Sequence, residues 1–154
     1  MELTGEQLLS QPRQVVWQCL NDPDVLKACV PGCESLERTA DHEYRVVMLA
    51  AIGPVKARFN GTLRLSDLQP PASYSLAFEG AGGAAGFGKG GARVALAERD
   101  GGGTLLQYQS SAQVGGKLAQ IGSRLIGAVA KKLSDEFFER FRAELERRVP
   151  AVDA

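Results

Sequence analysis

Residues 117–148 decide the fold, and they read KLAQIGSRLIGAVAKKLSDEFFERFRAELERR. Apolar residues recur there every three or four positions, which is the spacing of one buried helix face. They are Leu118, Ile121, Leu125, Val129, Leu133, Phe137, Phe141 and Leu145. The pattern predicts a single helix of roughly 45–50 Å, at about 1.5 Å per residue. We expect this helix to bury Leu125, Val129, Leu133 and Phe137 against the rest of the chain.

The segment before this helix has a period of two instead. In residues 55–65, VKARFNGTLRL, apolar and polar residues alternate, which indicates a strand with one buried face. Similar segments lie at 43–52, 74–78, 93–97 and 104–114, and glycine or proline turns separate them. Consecutive strands that are joined by short turns predict an antiparallel meander.

The N-terminal residues complete the architecture. Residues 2–10 predict a first strand, and Pro12 and Asp22 are placed to begin two short helices. The chain is therefore predicted to be an α+β protein, with a bent antiparallel sheet of about seven strands around a long C-terminal helix and two short helices near the N-terminus. We expect one domain over 1–148, followed by a short tail at 149–154.

Composition and charge exclude several classes of function. The 154 residues include 18 Lys and Arg and 18 Asp and Glu, so the chain lacks the basic excess that nucleic-acid binding requires. Its uninterrupted apolar runs are far shorter than the ~20 residues of a membrane-spanning helix. The first residues, MELTGEQLLSQPRQ, do not resemble a signal peptide, which favours a cytoplasmic location.

Residues that commonly carry chemistry are scarce. His42 is the single histidine, and it lies in a polar stretch that indicates a turn. The three cysteines include Cys29 and Cys33 in CVPGC, which is not a C-x-x-C motif, and too few other ligands are present for a zinc site. We expect reduced, packed thiols, with no catalytic residue, no metal and no cofactor.

A glycine-rich run, GAGGAAGFGKGG at 80–91, contains formal matches to two phosphate-binding motifs. Gly90 follows Lys89, where a phosphate-binding loop needs Ser or Thr, and the next residues alternate like a strand rather than a helix. We therefore expect no nucleotide binding. The run is predicted to be a mobile loop or hairpin end. It is either a long flexible hairpin loop or a mobile lip over a pocket, with Phe87 as its large apolar side chain.

Two surface features leave alternatives open. In residues 45–52 both faces of the strand are apolar, so Val47, Leu49 and Ala51 either form a partner surface or lie under a neighbouring loop. Lys56, Arg58 and Arg64 form a basic stripe on the next strand. This stripe is either an ordinary solvated face or a contact for an acidic partner or an anionic headgroup.

Several short strings resemble one family. They are ELTGE at 2–6, VW at 16–17 followed by DP at 22–23, CVPGC at 29–33, IGPVKARF at 52–59 and VGGKLAQIGS at 114–123. Together they are similar to the family of the G subunit of carbon monoxide dehydrogenase, within the START-like, helix-grip (SRPBCC) superfamily. The resemblance covers residues 1 to about 145.

The resemblance implies an apolar cavity between sheet and helix, and a role beside a molybdenum hydroxylase of the carbon monoxide dehydrogenase type. It also implies that the ligand is a quinone or lipid, and that the protein contacts the inner face of the membrane peripherally. Alternation of the strands and helix spacing place nine residues in the cavity wall: Met48, Phe59, Leu63, Leu76, Phe78, Tyr108, Leu125, Val129 and Leu133. We expect Ala50 and Phe87 to line the same cavity.

Three classes of function remain open from the sequence. The first is a binding protein for a hydrophobic ligand, and the second is an assembly or recruitment subunit whose cavity is filled. The third, a cofactor-free cyclase or hydrolase, is disfavoured because the inward positions carry few polar groups. Tyr108 and Ser110 are the candidates.

Overall fold

The structure, a computed structural model, describes residues 1–149. The predicted tail therefore lies, apart from Val149, outside the described residues. The strands are β1 (Glu2–Leu9), β2 (Cys33–Ala40), β3 (Glu43–Ile52), β4 (Val55–Gln69), β5 (Ser73–Ala81), β6 (Phe87–Glu98) and β7 (Thr104–Gly115). The helices are α1 (Arg13–Leu20), α2 (Pro23–Cys29), α3 (Lys117–Gln120) and α4 (Ser123–Arg148), and a 3-10 turn covers Gly83–Ala85.

The strands form one antiparallel sheet in the order β1-β7-β6-β5-β4-β3-β2. The predicted meander is confirmed, because β2 to β7 are each paired with their neighbours along the chain. β1 closes the sheet beside β7, with Glu2 opposite Ser111 and Leu9 opposite Thr104. Two short helices link β1 to the far edge strand β2, and α2 begins as predicted. The Asp22 carboxylate accepts a hydrogen bond of 2.9 Å from the Asp24 N–H.

The prediction of one unbroken helix from residue 117 is wrong. Helix α3 ends at Gln120, and α4 begins after Gly122, whose φ of +102° is in a region that side chains disfavour. At about 1.5 Å per residue, the 26 residues of α4 span roughly 39 Å. The change of direction at this glycine alters which residues of α4 face the sheet.

The predicted buried face of the helix is therefore also corrected. Leu125 is 41% exposed, and Val129, Leu133 and Phe137 are half-buried. The buried residues of α4 are Ile126, Phe138, Phe141 and Leu145 instead. Phe141 and Leu145 are 0% exposed, because α1 and α2 cover the C-terminal part of α4 in addition to the sheet.

The core consequently lies in one half of the molecule. We call this the filled half: the C-terminal part of α4 from Phe138, α1, α2 and the strand residues packed against them. Those strand residues are Leu9, Tyr44, Leu65, Tyr74, Val94, Leu96 and Leu106. The N-terminal part of α4, residues 123–137, and the sheet that faces it form the open half. Its apolar residues are mostly half-buried or exposed.

Two glycines allow the sheet to bend towards the helix. A Cβ added at Gly61 would run into the carbonyl oxygen of Glu79 on β5, and one added at Gly90 would run into the carbonyl oxygen of Ser111 on β7. Both glycines lie in strands whose register is continuous around them. Adjacent backbones therefore approach more closely there than side chains permit.

The glycine-rich run is mostly strand, which corrects the predicted long mobile loop. β5 extends to Ala81 and β6 begins at Phe87, so residues 82–86 alone connect them. The strand predicted to follow the run is confirmed, because residues 92–97 lie within β6.

Candidate functional site

The floor of the open half is made of backbone rather than side chains. Gly61, Gly80 and Gly88 are direct neighbours across β4, β5 and β6, and alternation places all three on the face that looks towards α4. We call this row the glycine floor. Val46 and Val114 flank it on β3 and β7.

The space above this floor is open. A Cβ added at Gly80 would meet no atom closer than 3.6 Å, and one added at Gly88 none closer than 3.8 Å. A well-packed interior would fill such positions with side chains from the facing helix. At Gly88 the floor is not covered by α4, because a Cβ there would have only β7 atoms, those of Gln113 and Val114, within 4 Å.

The predicted wall residues of the sheet surround this floor. Phe78 faces inward beside Gly90 yet is 38% exposed, so no helix residue seals its ring from solvent. Alternation places five other predicted residues on the same inner face, all of them half-buried: Met48, Ala50, Phe59, Leu63 and Leu76. The structure thus places these six residues on one face of the sheet, where Leu63 and Leu76 also pack against the core of the filled half.

The helix supplies the opposite wall. Leu125 and Ile121 contact the β3–β4 turn, since a Cβ added at Gly53 would lie 2.9 Å from Leu125 Cδ2 and 3.6 Å from Ile121 Cγ2. Val129 and Leu133 follow at helical spacing and are half-buried. The turn at Gly53 and the first turn of α4 therefore close one end of the space.

Phe87 is not part of this wall. Strand alternation places it on the face of β6 that carries Lys89 and Arg93, opposite the face that carries Val94 and Leu96. Its ring covers Gly115 on β7, and the side chain is 47% exposed to solvent. The predicted role of Phe87 as a lip over the pocket is wrong, because the residue lies in a strand and points outward.

A pair of hydroxyls lies at the boundary between the two halves. Tyr108 Oη and Ser134 Oγ are 3.0 Å apart, which joins the sheet to α4 by a hydrogen bond. The Tyr108 ring stacks on Phe138, with ring centroids 5.5 Å apart, and its hydroxyl lies over Gly5 of β1. The sequence predicts Tyr108 as a polar inward residue but does not single out Ser134. Its position four residues before Phe138, on the same helix face, is the signal that could have found it.

The comparison with known families is decisive. The sequence profile of CoxG, the family of the G subunit of carbon monoxide dehydrogenase, matches residues 5–146. The chain belongs to the CoxG family. Comparison of the sequence with curated proteins finds no match.

Solved structures share the fold of this CoxG chain. It is 34% identical to a conserved protein from Geobacillus kaustophilus, with a TM-score of 0.90 and 96% of each chain covered. A START superfamily protein from Mycobacterium smegmatis superposes with a TM-score of 0.76 at 12% identity, covering 96% of this chain and 99% of that one. Protein CV1439 from Chromobacterium violaceum gives a TM-score of 0.68 at 16% identity, with 99% of each chain covered. The fold is therefore START-like.

Two groups that commonly carry chemistry, His42 and Cys29, lie away from the open half of this CoxG domain, whereas Cys33 pairs with Met48 of the predicted wall. His42 is exposed in the β2–β3 turn, with a φ of 60°. Cys29 is buried in the filled half, where burial and the nearby Glu144 carboxylate raise the pKa of its thiol to about 11. Within residues 1–149 no group of three or more His, Cys, Asp or Glu could hold a metal ion. None of the helices in this described part is long and apolar enough to cross a membrane.

Two shallow grooves lie on the outer face of the CoxG sheet. One, of about 570 Å³, crosses β5, β6, β7 and the start of β1 near Glu79 and Lys89. The other, of about 560 Å³, lies beside it near Arg93 and Gln107. Neither is lined by α4, and both are open to solvent and partly polar. They therefore differ from the predicted apolar cavity between sheet and helix, although Phe78 of the predicted wall also lines the first groove.

Proposed function

We propose that this chain is a non-catalytic binding protein, which holds a largely apolar small molecule in the open half and serves a carbon monoxide dehydrogenase-type molybdenum hydroxylase as an accessory. The observation that carries the proposal is the glycine floor beneath an inward-facing, 38% exposed Phe78. Contact between apolar surface and water is unfavourable in free energy, and a ligand that covers this surface removes the unfavourable contact.

The free energy of binding that apolar burial supplies is sufficient without any catalytic group. Apolar burial contributes about 25 cal/mol per Å², so a ligand that buries a few hundred Å² gains several kcal/mol before ordering costs. That gain corresponds to binding at about micromolar concentrations. Membership of the CoxG family supports a quinone- or lipid-like molecule as the ligand.

The open half favours binding over the two other classes of function. A recruitment subunit with a filled cavity would have Phe78 and Leu125 packed, whereas both are more than one-third exposed. An enzyme would need a general acid or base in the space. The inward-facing side chains that strand alternation and helix contacts identify there, within residues 1–149, include neither histidine nor a carboxylate.

The end of the open half that carries the β3–β4 turn also fits a peripheral contact with an anionic membrane surface. Exposed cations surround it on three segments, namely Lys56 on β4, Lys117 on α3 and Arg124 on α4. Exposed Leu49, Pro54 and Leu125 lie among them. Basic side chains near a membrane surface each contribute about 1 kcal/mol to attraction towards anionic lipids.

Filling the glycine floor tests the binding function. Gly80→Leu places a side chain above the floor, where space is available, and should abolish binding of a short-chain quinone while the protein stays folded. Val129→Trp and Ala50→Trp fill the opposite wall and the far end in the same way. Ala77→Leu adds the same kind of bulk on the outer face of β5 and is the matched control.

The readout is the shift in thermal midpoint on adding short-chain quinones and lipids, with native mass spectrometry of the purified protein for co-purified ligand. We expect stabilisation of the wild type and of Ala77→Leu, and none for Gly80→Leu. If the wild type is not stabilised by any of these ligands, the binding function is wrong. The recruitment function would then take its place.

A further inference from the structure

The hydrogen-bonding capacity of the Tyr108–Ser134 pair is not used up within the protein. Two hydroxyls carry two hydrogens, and one of these is shared between Tyr108 Oη and Ser134 Oγ at 3.0 Å. Within residues 1–149 neither oxygen has another hydrogen-bond partner. One hydroxyl hydrogen therefore has no acceptor in the described protein.

The ring of Tyr108 has apolar neighbours, and the Lys131 ammonium is close enough to interact electrostatically with its hydroxyl. The Tyr108 ring stacks on Phe138, and the hydroxyl lies over Gly5 rather than over a polar side chain. Ser110, the next inward residue on β7, is already committed, because its hydroxyl donates to the Leu3 carbonyl at 3.1 Å. Tyr108 and Ser134 thus keep a hydrogen to donate, whereas the hydrogen of Ser110 is already used.

The pair can also be reached from the glycine floor. On β6 and β7 the inward residues between the floor and Tyr108 are small, namely Gly90 and Ala92 on one strand and Ser110 and Ala112 on the other. A molecule lying on the floor along these strands therefore passes the Phe78 ring beside Gly90 and meets no large β6 or β7 side chain before the hydroxyls.

The geometry points to a polar subsite: the Tyr108 hydroxyl, held by Ser134, donates a hydrogen bond to a carbonyl oxygen at one end of the bound apolar ligand. This inference rests on the proposed function and adds the ligand chemistry. The phenol is assigned as the donor because it is the more acidic hydroxyl, so Ser134 donates to Tyr108. A quinone ring and a lipid ester both present such a carbonyl oxygen.

The test compares carbonyl probes with their hydrocarbon isosteres. The first pair is 2-methyl-1,4-naphthoquinone and 2-methylnaphthalene, and the second is methyl octanoate and nonane. Displacement of an environment-sensitive dye gives the four affinities. The wild type should prefer the carbonyl member of at least one pair by about five- to tenfold, the factor that one neutral hydrogen bond supplies.

Tyr108→Phe keeps the ring stacked on Phe138 and removes the donor, so it should erase that preference and leave the hydrocarbon affinity unchanged. Tyr74→Phe removes a phenol hydroxyl from the filled half and is the matched control. Ser134→Ala should reduce the preference about twofold, because the phenol keeps its hydrogen but loses its partner.

The outcomes separate the subsite from the proposed function. Loss of the preference in the quinone pair or in the ester pair supports the subsite and identifies the source of the carbonyl. Equal binding of carbonyl and hydrocarbon members by the wild type overturns the subsite and leaves the binding function intact. A preference that survives Tyr108→Phe, or an equal loss of all four affinities, also overturns it. If none of the probes binds the wild type, the proposed function fails.

Discussion

The two halves of α4 face the same sheet but in different ways. From Phe138 onwards the helix is covered by sheet, α1 and α2, and Phe141 and Leu145 are fully buried. Before Ser134 it faces glycines and half-buried side chains, and Leu125 is exposed. The filled half therefore stabilises the fold, while the open half can be left unfilled for a ligand.

The unequal packing has a physical cause, because the short helices α1 and α2 form a third layer beside α4 and the sheet. Hydrophobic stabilisation follows the apolar area that is removed from water, and α1 and α2 add area at one end of α4. Trp17 of α1 packs edge-on against Tyr74 of β5, with ring centroids 5.4 Å apart. At the other end the β3–β4 turn reaches the helix through Gly53, and Met1 Sδ lies 3.9 Å from a Cβ added at Gly127.

The largest expected effect is the contrast in stability between the two halves. Phe141→Ala in the filled half should lower the free energy of unfolding by about 3–5 kcal/mol, because it leaves a cavity in a closed core. Leu125→Ala in the open half should cost less than about 1 kcal/mol, since its side chain is already exposed. Chemical denaturation of both variants measures the difference. Similar losses for the two variants would show that the halves are equally packed.

A second, smaller contrast lies between two glycines of β6. Gly90→Ala places a Cβ against the Ser111 carbonyl oxygen and should destabilise the protein by about 1–3 kcal/mol. Gly88→Ala has room, so its stability should be unchanged or up to about 1 kcal/mol higher, because the unfolded chain loses freedom. Denaturant midpoints at equal m-values provide the comparison. Equal losses would mean that the floor above Gly88 is not open.

The smallest expected effect is a difference in alkaline sensitivity. Burial raises the pKa of Cys19, Cys29 and Tyr74, all in the filled half, and that of Cys29 reaches about 11. Because the unfolded thiol ionises near 9, the stabilising contribution of neutral Cys29 is complete below that pH and is lost as the pH rises towards 11.

Unfolding midpoints measured from pH 8 to pH 11 test this expectation. The wild type should lose stability above pH 9, and Cys29→Ala should lose less over the same interval. A matched variant, Cys33→Ala, removes a half-buried thiol at the start of β2 whose pKa is also raised by burial, and it should change the pH dependence less than Cys29→Ala does. An identical pH dependence for wild type and Cys29→Ala would contradict the assigned pKa.

Much of the fold follows from patterns in the sequence. The period-two segments predict β3, β4 and β7 closely, and Asp22-Pro23 predicts the start of α2, because alternation and capping are local effects. The break at Gly122 escapes prediction since the apolar spacing of Leu118, Ile121 and Leu125 continues through it. The positive φ of Gly122 does not change the spacing of the apolar residues.

The site can be predicted less completely. Six sheet residues of the predicted wall lie on the inner face, because strand alternation decides which face a residue occupies. The prediction for Phe87 is wrong because the composition of the glycine run indicates a loop. The face that a residue occupies cannot be assigned until its strand is recognised. The glycine floor depends on register across three strands, which no local pattern contains.

The pairing of β1 with β7 has a consequence for how the chain is made. The meander from β2 to β7 forms between neighbours and can assemble as it leaves the ribosome. β1 must wait until β7 has emerged, and the core cannot close until Phe141 and Leu145 have followed. During synthesis the inner face of the whole sheet is therefore exposed to solvent until α4 packs against it. Until then the whole face is uncovered, as the open half is in the folded protein.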